Sequence, residues 1–389
     1  MDNNMKAFKL FTLILILTIT KVTAQNPAHQ IDSLFSVKTK AAGIVGLSAA
    51  IVSDKGVLWS GGYGYADKEK QIPYTPETIM NIGSVSKSIT GICIMRAVQE
   101  NKLALDEDIN KYLPFKVRNP YFPKAKITMR QLAVHTSGIQ DREPVYSDTG
   151  YYYGGDAKIP LGEFLKDYLV PKGRYYADSN FVKGKPGTES YYSNIGAALA
   201  GYIVERVTGM KLNEYSKNFL FDPLGLKHTG WFLSDIDTSK HCRLYERKGD
   251  TLTLVPWYGL VTYPDGGVRT SVSDLSKILL SIIGQGQQVL SAKSRTELWH
   301  PNFTPAVKPV NYDYDAINYN EGIFWSMNDG MHKIGHVGRD PGINTYMYYD
   351  RSLKRGIIIF YNTSIPYKDR QQFETIYDQL WNLATSLKD

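Results

Sequence analysis

The chain has 389 residues, 43% hydrophobic and 21% charged, the balance of an ordinary globular protein with length for one large domain or two lobes. Its formal net charge is +7, and the basic residues are scattered with no run of five or more, which argues against a nucleic-acid partner. Tyrosine is abundant, at 28 residues, and cysteine scarce, at two, so a disulfide framework is excluded.

The first residues read as an address. Lys6 and Lys9 precede the apolar run Leu10 to Ile19, and Val22-Thr23-Ala24 places small residues where a signal peptidase cuts. This pattern predicts a cleavable secretory signal over residues 1–24 and a secreted or periplasmic protein. The apolar run is short for a membrane span and no second run of spanning length follows, so no stable span is expected in the mature protein.

A helix is expected from Ile31 to Lys40, with Ile31, Leu34 and Phe35 on one stripe. Ile44 to Val52 reads as a strand, Asp54-Lys55-Gly56 as a turn, and Val57 to Ala66 as the returning strand. Pro73 and Pro76 mark a loop that leads to Gly83-Ser84-Val85-Ser86-Lys87. The apolar stretch Ser88 to Met95 suits a buried central helix, in which Cys93 is expected as a buried free thiol.

Ile127 to Val134 reads as a short helix opened by Thr128 and closed at His135-Thr136-Ser137-Gly138. His135 reads as a histidine hydrogen-bonded in a buried turn, with a catalytic role as the competing reading. Gln140 to Gly187 is loop-rich, with one short helix from Glu163 to Tyr168 and tyrosine clusters at 151–153 and 175–176. Tyr191 to Thr208 becomes helical after its first residues and stops at Gly209. Leu212 to Phe221 is a further helix, and Gly266-Gly267-Val268 leads to another at Leu275 to Ile283.

In the last third, strands are expected at Gly322 to Met327, Lys333 to Val337, Thr345 to Tyr349 and Gly356 to Tyr361, followed by a terminal helix from Gln371 to Leu387. Strands at both ends with helices between them predict an α+β fold, an α/β sandwich. Its antiparallel sheet is built from N- and C-terminal segments flanked by helices, with an inserted mainly helical subdomain and a cleft where the two meet.

Three motifs carry chemistry. Ser84 is the only serine with a lysine three residues on. At helical spacing Lys87 lies one turn away on the same face, where a neutral amine can take the hydroxyl proton and make a nucleophile without histidine. Burial lowers a lysine pKa toward that state. The spacing alone also fits a capping serine and an exposed lysine. Tyr192-Ser193-Asn194 is the only Tyr-x-Asn. Tyr192 could shuttle a proton if cations stabilise its phenolate, and Asn194 could hold a substrate carbonyl or the lysine. Aromatic packing at a helix start is the plainer alternative. His336-Val337-Gly338-Arg339 ends a strand whose glycines allow close approach of an extended substrate, and a backbone N–H there could join that of Ser84 as an oxyanion hole. No Gly-x-Ser-x-Gly, His-Glu-x-x-His or Walker loop occurs.

Ser84-Val85-Ser86-Lys87, Tyr192-Ser193-Asn194 and His336-Val337-Gly338, in that order, resemble the serine β-lactamase and penicillin-binding-protein-like family. The branch most similar holds class C β-lactamases, DD-carboxypeptidases and related esterases. The likeness runs from about Gly46 to Asn362 and includes Leu132 to Ile139 and Pro223-Leu224-Gly225-Leu226. It implies one catalytic domain over residues 25–389, with a sheet lobe at about 25–83 and 260–389 and a helical lobe at about 84–259. It also implies Ser84 as nucleophile, Lys87 and Tyr192 as proton handlers, and the Ser84 and Arg339 N–H groups as oxyanion hole. Asn194, His336 and Gly338 are the expected substrate contacts. No metal or organic cofactor is implied, and the partner is a small-molecule or peptide acyl substrate.

One departure matters. Many β-lactamases and DD-peptidases carry Lys-Thr-Gly on that strand, where this chain has His336-Val337-Gly338. A histidine is mostly neutral near pH 7, which weakens the case for penicillin-like substrates and favours esters, amides and small peptides. A β-lactamase or cell-wall DD-peptidase is the first alternative. A silent protein that binds peptides or glycans in the same cleft is the second.

Overall fold

The computed structural model describes residues 27–284, 286–312, 319–328, 330–366 and 371–388. The expected signal segment, residues 1–24, lies outside the described residues. The main sheet contains β1 (Gly46–Ser53), β2 (Gly56–Asp67), β3 (Ile72–Pro73), β4 (Asn320–Glu321), β5 (Ser326–Asn328), β6 (Lys333–Asp340), β7 (Ile343–Asp350) and β8 (Arg355–Tyr361). Their order is β4-β5-β6-β7-β8-β1-β2-β3, antiparallel throughout. The sheet thus joins the two ends of the chain: Leu47 of β1 stands opposite Tyr361 of β8. This is the α+β arrangement expected from the sequence.

Both faces of β1 and β8 are covered, which is why these strands read as nearly continuous apolar runs. Leu47, Ala49 and Ile51, with Ile357, Ile359 and Tyr361, face a layer made by α1 (Pro27–Ala41) and the terminal helix Gln371–Ser386. Ile31 and Phe35 of α1 are buried there as expected, while the side chain of Leu34 lies outside those described. Ala50, Val52, Ile358 and Phe360 point the other way, into a larger core shared with Leu275 and Leu279 of the helix Val272–Ile283.

At the centre of that core runs α2 (Ser86–Gln99). It is buried on nearly every face, from Ser86 through Met95, as a helix apolar all round must be. It packs against α3 (Asn194–Thr208), which Gly209 ends in a left-handed cap as the sequence predicts. Thr128 and Gln131 form a capping box for the short helix Met129–Ala133. Cys93 and Cys242 are both buried and unpaired.

Two expectations fail. Gly322 to Met327 is not one strand; β5 begins only at Ser326. Ile323, Phe324 and Trp325 are buried in a turn docked on α2 and on the helix Ala292–Leu298: the Trp325 indole donates to the Ser88 carbonyl of α2 at 3.2 Å, and the Ile323 N–H to the Leu298 carbonyl at 2.9 Å. A short apolar run has no periodicity with which to tell a strand from a buried turn. The second miss is an antiparallel hairpin, Leu244–Lys248 with Thr251–Val255, inside the stretch read as helical.

Gly91 lets the docked turn reach α2. A Cβ placed there would lie 2.2 Å from the Ile323 carbonyl oxygen. Gly91→Ala should therefore destabilise the fold by about 1–3 kcal/mol despite the better helix propensity of alanine, read as a lowered midpoint in urea unfolding. An unchanged or raised midpoint would mean that this contact yields freely.

Candidate active site

Ser84 does not open a regular helix. It sits in a tight turn, Gly83–Val85, immediately before α2. Gly83 has φ 51°, a left-handed conformation that suits glycine. Lys87, in the first turn of α2, is fully buried, so the reading of an exposed lysine is excluded. Its Nζ donates to Ser84 Oγ at 3.1 Å, Asn194 Oδ1 at 2.7 Å and the Asp265 carbonyl at 2.8 Å. An ammonium uses all three as acceptors. A neutral amine keeps the bonds to Asn194 and Asp265, which can only accept there, and turns its lone pair to the Ser84 hydroxyl. One geometry therefore serves both protonation states.

Tyr192 approaches from the start of α3. Its hydroxyl is in hydrogen-bonding range of Lys87 and Ser84, and Lys87 Nζ lies 4.8 Å from its ring centre. The residue is 49% exposed, with its ring 4.4 Å from that of His135 and 6.3 Å from that of His336. Hydroxyl and amine, neighbours in sequence, thus converge with a phenol that is distant in sequence.

Burial pulls the Lys87 pKa down, as expected, but Tyr192, Asp265 and Asp141 outweigh it and the net direction is up. Burial raises Tyr192 more than Lys87 lowers it. The resting pair is ammonium and phenol, so the neutral amine and the cation-stabilised phenolate that the chemistry requires are not the resting forms. Among the described residues Lys87 is the one cation that acts on the Tyr192 hydroxyl. Burial and Lys87 push His336 down to about 4, so it is neutral. Its Nδ1 lies 2.7 Å from the Val337 carbonyl and must carry the hydrogen, leaving Nε2 as an acceptor.

The segment that carries Tyr192 is pinned by residues the sequence left unassigned. The Asp141 carboxylate accepts from the Asn194 N–H at 2.9 Å, the Ile195 N–H at 3.0 Å and the Ser193 hydroxyl at 3.2 Å, at the positive end of α3. His135 holds the same segment. Its Nδ1 accepts from the Ser193 N–H at 3.1 Å, and its ring lies 4.4 Å from that of Tyr192. It is the hydrogen-bonded histidine of a buried turn, held neutral by burial and Lys87. Asp141 has no local motif to announce it; only the fold brings it to α3.

β6 supplies the opposite wall. Among the described residues β5 pairs with it only as far as Ser326 opposite Gly335 and no strand is paired to this edge from His336 onward, as an added substrate strand requires. Gly338 does not line the cleft. A Cβ there would lie 2.0 Å from the Ile82 carbonyl, so glycine lets β6 close against the residue before Gly83. The Arg339 nitrogen would be 3.2 Å from a Cβ on Gly83, which puts this N–H beside the Ser84 turn. Asn194 lines the cleft, but its amide oxygen is committed to Lys87.

These groups border a cleft of about 510 Å³ that also receives Tyr146, Tyr151, Asp265 and Asp340. Tyr151 belongs to the expected tyrosine-rich region. Tyr152 and Tyr153 are exposed, and Tyr175 packs against Phe164 instead. A second groove, of about 570 Å³ near Lys240 and Arg243, contains none of the three motifs. Among the described residues there is no cluster of potential metal ligands, and no helix is long and apolar enough to cross a membrane.

A sequence profile of the family described as Beta-lactamase matches residues 31–377. The chain belongs to the β-lactamase family. Among curated relatives, Protein flp of Staphylococcus aureus strain MRSA252 is 27% identical over 347 residues, covering 87% of this chain and 64% of its own length. This β-lactamase-family chain thus spans somewhat under two thirds of that relative. Among solved structures, the octameric penicillin-binding protein homologue from Pyrococcus abyssi is 25% identical, with a TM-score of 0.71 over 91% of this chain and 77% of that one. D-amino acid amidase from Ochrobactrum anthropi SV3 shares the fold, at 20% identity and a TM-score of 0.69 over 92% of this chain and 99% of its own.

Proposed function

We propose that this β-lactamase-family protein is an exported serine hydrolase that opens esters, amides or small peptides through an acyl-enzyme on Ser84. The observation that carries this reading is the buried Lys87 ammonium 3.1 Å from Ser84 Oγ with Tyr192 beside both. Loss of one proton from the Lys87–Tyr192 pair creates the base. Ser84 Oγ then attacks the substrate carbonyl carbon as its proton passes to that base. In this reading the Ser84 and Arg339 N–H groups stabilise the oxyanion. Collapse of the intermediate breaks the bond to the leaving group, which departs with the proton. Water repeats the sequence on the acyl-enzyme, releasing a carboxylic acid and free Ser84. A fluorophosphonate probe tests the reading: folded protein should be labelled on Ser84, and unlabelled Ser84 would support a silent binding protein instead. The β-lactamase or DD-peptidase alternative is less favoured, because His336 is neutral where such enzymes hold a cation.

The pH profile follows. Lys87 keeps its proton to a higher pH than an ordinary lysine, so the base form is scarce at neutral pH and kcat/KM should rise into the alkaline range. Asp265, itself raised to about 7 by burial, is one of the charges that hold the lysine proton. Asp265→Asn removes that charge, so the rising limb should move to lower pH. A limb that stays in place would show that Asp265 does not tune the base.

A further inference from the structure

Asp141 stands one step from both partners of Ser84 and does not line the cleft. Its Oδ2 accepts from the Asn194 N–H at 2.9 Å, and the amide oxygen of the same Asn194 accepts from Lys87 Nζ at 2.7 Å. Its Oδ1 accepts from the Ile195 N–H at 3.0 Å and the Ser193 hydroxyl at 3.2 Å, and Ser193 follows Tyr192 in the chain. Lys87 and Tyr192 are therefore each tied to this carboxylate through one intervening residue.

The carboxylate is itself held firmly. On one side of it the Gln140 N–H donates to the Asn180 carbonyl at 3.0 Å, and on the other the Arg142 N–H donates to the Tyr168 hydroxyl at 2.6 Å. The adjacent guanidinium turns away: Arg142 Nε donates to Asn180 Oδ1 at 2.7 Å and Nη2 to the Tyr175 carbonyl at 2.9 Å. Among the described residues Asp141 makes no ion pair, and the cation whose charge acts on it is Lys87. Lys87 in turn faces Tyr192 and Asn194 from the start of α3, Asp265, His135, and His336 and Asp340 from β6. Both histidines are neutral, so the carboxyls are what balance the ammonium.

We propose that Asp141 is a positioning residue for the Ser84 chemistry: through Asn194 it aims the Lys87 amine, through Ser193 it aims the Tyr192 hydroxyl, and its negative charge balances the Lys87 ammonium. The inference rests on the Ser84 hydrolase reading above. Asp141→Asn keeps the shape and one carbonyl oxygen, but sets an amide NH2 against an N–H that needs an acceptor. The start of α3 must then shift, and a misplacement of about 1 Å at Tyr192 or Lys87 costs up to about 10²-fold in rate. The lost charge also lets Lys87 release its proton at lower pH, because Asp141 is one of the groups that raise it.

The test uses the full chain and p-nitrophenyl acetate, with kcat counted per Ser84 labelled by saturating fluorophosphonate, so that unfolded protein drops out. Asp141→Asn should lower kcat per labelled site about 10- to 100-fold, change KM less than kcat, and move the rising limb of kcat/KM to lower pH. Ser193→Ala is the companion variant. It removes one hydrogen bond to Asp141 and the cap of α3 but leaves the charge, so it should lower kcat per site without moving the limb. A purely structural role would reduce the number of labelled sites and leave both kcat per site and the limb as in the native chain, which overturns the inference. A limb that moves equally in the two variants also overturns it, since the charge of Asp141 is then not what acts. If Asp141→Asn yields no labelled sites, Asp141→Ser, smaller and neutral, carries the same expectations. Unlabelled Ser84 in folded native protein removes the hydrolase reading itself. Labelled Ser84 with native constants in Asp141→Asn removes only the inference.

Discussion

Ser84→Ala should lower kcat/KM on every acyl substrate by on the order of 10⁴-fold or more, leaving a residue of rate from the oxyanion site and binding alone. The proposed role gives Ser84 the bond-forming atom, and its hydroxyl oxygen lies 3.1 Å from Lys87 Nζ. The cost to the fold should be small. Ser84 lies in a turn that the backbone holds, with the Val85 N–H donating to the Ile82 carbonyl at 3.3 Å, and the side chain gives up one acceptor for Lys87. The thermal midpoint should therefore stay close to that of the native chain while turnover disappears. Activity that survives the substitution within tenfold would place the chemistry on another residue.

Lys87→Met should lower turnover by roughly 10²- to 10⁴-fold, the range for loss of a positioned proton acceptor, and should also alter the fold's stability. Methionine fills much of the lysine volume, but the Asn194 amide oxygen and the Asp265 carbonyl lose a donor 2.7 and 2.8 Å away. Each buried acceptor left without a partner costs about 1–3 kcal/mol, partly offset because a buried charge is gone. The rising limb of the pH profile should vanish with the lysine. Labelling of Ser84 at the native rate would assign the proton transfer elsewhere, and Tyr192→Phe would then be the decisive comparison.

Much of the fold was legible because local rules and tertiary packing agree. Thr128 caps, Gly209 stops, and the alternate residues of β1 and β8 divide between two cores. The misses occur where local rules are silent. Ile323 to Trp325 are apolar because they dock on α2, and a docked turn carries no period. In the hairpin at 244–255, polar residues alternate weakly and one strand is largely exposed, so its pattern is faint.

The site divides in the same way. Ser84, Lys87 and Tyr192 stand in short motifs whose spacing already implies their contacts. Asp141, Asp265 and Asp340 act on groups far away in sequence, so nothing beside them marks their role. The protonation of Lys87 was legible only in sign of one contribution. Burial could be foreseen from the apolar helix, whereas the carboxyls that outweigh it could not.

The pairing of β1 with β8 bears on how the molecule is made. Synthesis delivers Leu47 long before its partner Tyr361, so the centre of the sheet stays open until nearly the whole chain has emerged. Until then β1 offers an unsatisfied apolar ribbon to any neighbouring nascent chain. A ribosomal product interrupted before β8 should be prone to aggregate rather than retain a partial cleft, and holdase chaperones should bind it preferentially.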